Sequence, residues 1–283
     1  MKKILILLLL VGLSAEAKFI SNRGKVPVLD TSIDVSYGNV SGTSSVNKFG
    51  RTTNADNGIR TDVWDRANAI DDQDIHVPPT QARIHNIVSS DVDDTSGGAG
   101  ARTLKIFGLT SWDEKEVNEI ISMSGTSTVT TSNSYVYIHR MLVMSSGGGT
   151  GANQGQIIAQ AQTDLTISAQ INPLEGQTQM ALYAISSKES VCVTQYYSSF
   201  NKSGGATGSV DVGLCVNIEP NNQLSNFIIK NTQGLISSGT SQLIHSFNPC
   251  FKIDGPAIIK VDVTGSANDL DLSAGFDLVR KDN

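Results

Sequence analysis

The chain has 283 residues and a mass of 30.1 kDa, enough for one large domain or two modest ones with a sizeable core. Charged residues make up 17%, and the net charge is -6 with a pI near 5.2. That balance excludes a coiled coil, a charge-driven disordered chain and a basic nucleic-acid footprint. The 26 glycines, set among many Ser, Thr, Asn and Gln, favour strands and polar turns over helices.

The amino terminus reads as a secretory signal: Met1-Lys2-Lys3, an apolar run over 4–13, then Ser14-Ala15-Glu16-Ala17 with cleavage expected after Ala17. The competing reading is an apolar tail over 1–17 that docks on a partner or on the body. The run is too short to span a bilayer, and no later apolar stretch approaches 18 residues. The expected mature chain is therefore soluble, without a membrane partner once the signal is removed.

Residues 18–80 carry Gly24, Gly38, Gly42, Gly50 and Gly58 among polar residues, with only short apolar alternations. They read as an extended, loop-rich arm without a core of its own. Pro78-Pro79 marks the boundary with a body over 81–283, since neither ring can continue a helix or donate to a central ladder.

In the body, 84–88 and 103–109 read as a hairpin with a long polar tip, with Leu104, Ile106 and Gly108 opposite Thr103, Lys105 and Phe107. Residues 111–122 read as a helical turn or a loop. Strands follow over 127–131, 134–144, 156–161, 165–171, 179–185, 190–197, 209–218, 226–230 and 257–263. Short strands separated by turn residues indicate an all-β fold, an antiparallel β-sandwich of jelly-roll-like type. Cys192 and Cys215 are symmetric about Gly204, so a β-hairpin sets Val191 against Val216, Val193 against Leu214, and the two cysteines against each other.

Chemistry is sparse. Cys192–Cys215 is a candidate disulfide in an oxidising compartment, leaving Cys250 free; in a cytoplasm all three stay reduced. His76, His85, His139 and His245 lack metal-ligand spacing and read as surface or interface residues. Asp91, Asp93 and Asp94 form a weak calcium candidate, because alternate carboxylates can wrap a hard cation. However, Ser96 and Arg102 stand where the EF-hand loop needs Gly and Glu. A solvated acidic turn is the plainer reading. No nucleophile elbow, P-loop or dinucleotide fingerprint occurs. No catalytic residue or cofactor can be named, and the expectation is a non-enzymatic protein. Trp64 and Trp112 are isolated and suit loop anchors or subunit contacts better than a sugar platform.

Several motifs form a spaced series: Gly38-Asn39-Val40-Ser41-Gly42, Lys48-Phe49-Gly50-Arg51 and Val63-Trp64-Asp65, then Val88-Ser89-Ser90-Asp91-Val92-Asp93-Asp94 and Gly98-Ala99-Gly100-Ala101-Arg102-Thr103. Gly108-Leu109, Gly125-Thr126-Ser127 and Gly151-Ala152-Asn153-Gln154-Gly155 complete it. Over roughly 38–185 the chain resembles virion structural proteins of tailed bacteriophages of the kind met in marine phages. The resemblance implies a β-sandwich subunit of the particle whose arm contacts neighbours, a homo-oligomer with other virion proteins as partners. The acidic charge argues against nucleic acid as a partner. The alternative that fits the signal-like start is an exported surface or periplasmic binding protein, an adhesin or carbohydrate-binding module.

Overall fold

The structure is a computed structural model that describes residues 31–68, 73–148, 151–202, 207–222, 225–239 and 241–283. The expected signal, with Ala17, lies outside the described residues. The chain divides into two compact units, 1–41 and 42–283. In the first, a short helix α1 (Thr31–Ser36) ends in a turn where the Asn39 amide donates to the Asp34 carbonyl at 2.8 Å.

The second unit is all-β, and every strand pairing in its four sheets is antiparallel. The first sheet runs β1 (Thr43–Ala55), β16 (Leu270–Asp282), β11 (Glu189–Lys202), β14 (Gln242–Asp254). The second runs β10 (Leu182–Ile185), β15 (Ala257–Gly265), β12 (Ser209–Asn217), β13 (Ile228–Ile236), with β2 (Arg60–Asp62) also on β15. The third runs β6 (Val129–Thr130), β3 (His85–Ser89), β8 (Ile157–Ala161), β9 (Ile167–Ile171). The fourth is β5 (Val117–Ser122), β4 (Ala101–Leu109), β7 (Tyr137–Ser146).

Period-two alternation builds the interior. Val191 and Val193 of β11 and Leu272, Ala274, Phe276 and Leu278 of β16 face Val212, Leu214 and Val216 of β12 and Ile259 and Val261 of β15. A second core joins Ile87, Ile157 and Ile171 of the third sheet to Leu104, Ile106 and Met141 of the fourth, with Trp64 and Leu182 closing it. Contacts of β7 with β9 and with β10, and of β1 with the 3-10 turn Asp65–Asn68, complete a propeller-like ring of four sheets. The all-β, antiparallel expectation holds at this level. The single jelly-roll-like sandwich does not: four sheets share two main cores.

Three other expectations are corrected. Of the arm expected over 18–80, residues 18–30 and 69–72 lie outside the described residues; within the rest, β1 zips along β16 from Thr43↔Lys281 to Ala55↔Leu270 and β2 pairs with β15, so that part is built into the body. Val63 and Trp64 are fully buried, so the break between units falls before Gly42 and not at Pro78-Pro79. Strands β3 and β4 do not form a hairpin; they lie in different sheets and pack across the second core. The same holds for β11 and β12. In each case alternation specifies which side chains point inward but leaves open whether the next strand pairs edge to edge or packs face to face.

The motif series converges on one carboxylate. Asp94 is fully buried. Its Oδ1 accepts from the Ala101 amide at 2.7 Å and the Gln154 amide at 2.8 Å. Its Oδ2 accepts from the Ser89 hydroxyl at 2.5 Å and the Gly155 amide at 2.9 Å. Gly100 and Gly155 make room: a Cβ on Gly100 would collide with Asp94 Oδ1, and one on Gly155 would stand 2.5 Å from the Asp91 nitrogen. Asp94 is thus a buried staple that ties the end of β3 to the starts of β4 and β8, while Val92 and Asp93 of the same turn are exposed as expected of a solvated turn. The turn is also poorly suited to calcium. Both Asp94 oxygens are occupied by protein donors, and Asp91 Oδ1 accepts from the Asp93 amide at 2.8 Å. We predict that Asp94→Ala, which strands these buried donors, costs at least about 3 kcal/mol. Urea unfolding should show a lower midpoint, and calcium should leave the wild-type midpoint unmoved.

Candidate assembly surface and binding cleft

Cys192 is bonded to Cys250, not to Cys215, with a Cα–Cα distance of 5.5 Å. The pairing follows from topology. Cys192 and Cys250 sit on adjacent antiparallel strands near the β-bulge between Val193 and Gln195, whereas Cys215 lies on β12 in the other sheet. Cys215 is a free, buried thiol. Burial, and then the Asp262 carboxylate, push its pKa up to about 12, and the Arg60 guanidinium donates to its sulfur at 3.1 Å. Such a thiol is inert near neutral pH.

Three of the four histidines are buried, against the expectation that they lie at the surface. His85 Nδ1 donates to the Arg83 carbonyl at 2.9 Å, so its Nε2 accepts from the Ser168 hydroxyl at 2.8 Å. His76 Nε2 donates to the Ser168 carbonyl at 3.0 Å. Burial lowers both rings to a pKa of about 4, which keeps them neutral. His139 is lowered too, by burial, although its Nε2 donates to Glu116 Oε2 at 2.7 Å. Among the described residues no group of three or more His, Cys, Asp or Glu is placed to hold a metal ion.

Two features of the surface stand out. The first is a pair of sheet edges. β13 and β14 are the outermost strands of their sheets, and they carry Ile228, Ile229, Ile236 and Ile244, each about half exposed. Natural proteins normally blunt such edges with charge, proline or a covering element. Along β13 the exposed apolar side chains are relieved by one lysine, Lys230, whose ammonium lies over the Phe251 ring at 5.8 Å.

The second is a cleft of about 580 Å³. Its floor is Trp112, Tyr137, Phe227 and Ile258, and its rim carries amides and hydroxyls such as Gln81, Thr110 and Asn217. His76 lines it in the neutral form, so none of the described lining residues is charged near pH 7. A concave, uncharged, aromatic-floored site with an amide rim suits a neutral ligand that has both apolar faces and hydroxyls. Trp112 was expected to anchor a loop or fill a subunit contact; nothing local in the sequence unites it with Phe227, 115 positions later. Trp64 is an anchor, its indole donating to the Gln73 carbonyl at 3.0 Å.

Two outcomes follow. Between about pH 6.5 and 4 the unfolded chain takes up protons that native His76 and His85 refuse, so stability falls as pH drops through that window. The loss is on the order of 3 kcal/mol per ring at most, and denaturation series at pH 7 and 4.5 should show it, with a smaller difference in His85→Gln. Reduction of Cys192–Cys250, separated by 58 residues, should cost about 4 kcal/mol. Cys215 should resist alkylation until the chain unfolds.

No family model matches the chain, and no curated protein matches it. Among solved structures, the chain shows a low similarity to the 2.6 Å structure of infectious bursal virus derived T=1 particles. There the identity is 11% and the TM-score 0.18, covering 86% of this chain and 69% of that one. A mutant VP2 protein of infectious bursal disease virus, also in derived T=1 particles, is similar at 11% identity and a TM-score of 0.16, covering 84% of this chain and 68% of that one. Likeness at these scores carries no argument about fold or function.

Proposed function

We propose that the chain is a non-enzymatic structural component of a tailed-phage virion, assembling with copies of itself and with other virion proteins. The observation that carries this reading is the exposed edge strand β13, with Ile228, Ile229 and Ile236 each about half exposed. Such edges are a liability in a lone monomer and an asset where neighbours complete the sheet or bury the apolar row. The part of the motif series over 88–94, 98–103 and 151–155 agrees with it, since residues there serve packing around Asp94. The acidic charge suits protein neighbours better than packaged DNA.

A second reading is favoured by a specific pair of observations. The Cys192–Cys250 disulfide suits an oxidising compartment, and the uncharged cleft suits a neutral glycan. Together with the signal-like start they support an exported periplasmic or surface binding protein.

Mass spectrometry of density-purified particles and of the cell-envelope fraction separates the two. The virion reading expects stoichiometric recovery of the chain in particles. Recovery only in the envelope or medium, with peptides beginning at Lys18, would sink it in favour of the exported binder.

A further inference from the structure

A second concavity, of about 340 Å³, opens where β1 crosses β4 and β7. Its chemistry is the reverse of the neutral cleft. Lys48, Arg140 and Arg280 line it, with Glu116, His139 and Tyr183. Three cations meet in a chain whose net charge is -6, so the concentration of positive charge is local and not a general property of the surface.

The charges there do not balance. Glu116 is engaged by His139 at 2.7 Å and lies 3.6 Å from Arg280. Glu189, just beyond the lining, lies 3.5 Å from the same Arg280 and accepts from the Ser186 hydroxyl at 2.9 Å. Both carboxylates thus serve Arg280. Lys48 is almost fully buried, and its ammonium donates to the His139 carbonyl. Arg140 donates to the Asn47 carbonyl at 2.5 Å. Among the described residues no carboxylate forms an ion pair with either of them. A carbonyl satisfies a donor but does not neutralise a charge, and two cations left in a concavity repel. Burial, and then the Arg140 charge, hold Lys48 well below the usual lysine range. Glu116 shows the same field from the other side. Burial pushes its carboxyl up, yet His139, Arg280 and Lys48 outweigh that and hold it at about 2.

Unused hydrogen-bonding capacity lies in the same wall. The Tyr183 hydroxyl is buried against Arg280, and the hydroxyl of Ser44 and the Nδ1 atom of His139 are buried without a partner. Buried polar atoms normally find one. Tyr183 and His139 are each more than nine-tenths buried, and both line the concavity. Desolvation raises the Tyr183 hydroxyl well above the usual phenol range, which keeps it a donor.

We propose that this concavity is a binding site for a small oxyanion, a carboxylate or phosphate group, held by the Arg140 guanidinium and the Lys48 ammonium with the Tyr183 hydroxyl beside them. An anion there would relieve the repulsion between the two cations. It would also give the planar guanidinium the fork-shaped partner that no side chain among the described residues provides. The site is separate from the neutral cleft and from the edge strands, and its test does not depend on where the protein resides.

Calorimetry on the oxidised, full-length chain at pH 7 tests it, with inorganic phosphate, glucuronate and acetate as probes and sodium chloride at matched ionic strength as control. Saturable binding of at least one oxyanion, absent with chloride, is the expected result. Phosphate alone would point to a phosphoryl group as the natural moiety, and glucuronate or acetate alone to a carboxylate; either supports the proposal. Arg140→Gln, a change at a half-buried position, should weaken binding about tenfold or more while the far-ultraviolet spectrum stays native. Lys48→Met should weaken binding without lowering thermal stability, because it removes an uncompensated buried charge at nearly constant volume. Absence of saturable binding with all three oxyanions would overturn the proposal. So would equal affinity of the wild type and a folded Arg140→Gln chain.

Discussion

The second unit hangs on the pairing of β1 with β16. These strands come from opposite ends of the chain, yet they run in register over almost their whole length. Arg51 reinforces the seam by a bidentate contact with Asp271, 220 residues away, at 3.0 and 2.7 Å. Everything on the inner side follows from that seam. β16 gives its apolar face to the first core and its other edge to β11, and β11 in turn carries β14. The polypeptide between the two strands is obliged to leave the first sheet, build the remaining sheets and come back. Arrangements of this kind have high loop-closure cost and draw their stability from cooperative burial rather than from local preference.

Such a fold puts many polar groups inside, and their bookkeeping separates structure from function. Asp94 is saturated by four donors, and His85 and His76 settle into neutral tautomers with named partners. Lys260 pairs with Asp62 beneath the Phe227 ring. Each of these groups is explained by the packing it serves. Lys48 and Arg140 are different, because their hydrogen-bond partners are carbonyls and, among the described residues, no carboxylate forms an ion pair with either. Buried groups that keep a carbonyl as their partner while like charges face each other are the ones whose role packing alone does not explain.

Alternation along single strands was the legible part of this sequence. Leu104 and Ile106 point inward as their spacing requires, and Val191, Val193, Leu214 and Val216 do share one core. Neighbour identity was not legible, because a strand followed by a turn and another strand can make a hairpin or an arch between sheets with the same pattern. That ambiguity misassigned Cys192 to Cys215. Strands over 242–254 and 270–282 were not among those expected, although Leu270, Leu272, Ala274, Phe276 and Leu278 alternate cleanly. The role of Asp94 was hidden for another reason. Acidic residues between Ser and Gly resemble a solvated turn, and only three-dimensional convergence of 89, 101, 154 and 155 reveals the staple. The basic concavity draws Lys48, Glu116, Arg140 and Arg280 from far-separated stretches, a conjunction that no local motif encodes.

The disulfide has a mechanical meaning. Cys250 lies on β14, an outermost strand, and Cys192 on β11, which is hydrogen-bonded to both β14 and β16. Tension applied to that rim is therefore not resisted only by a ladder that can peel one rung at a time. It passes through a covalent link into an interior strand, and from there through β16 to β1, so the pull is shared by three inter-strand seams. A chain gripped along β14 would pass force into β11, β16 and β1 before its edge could unzip.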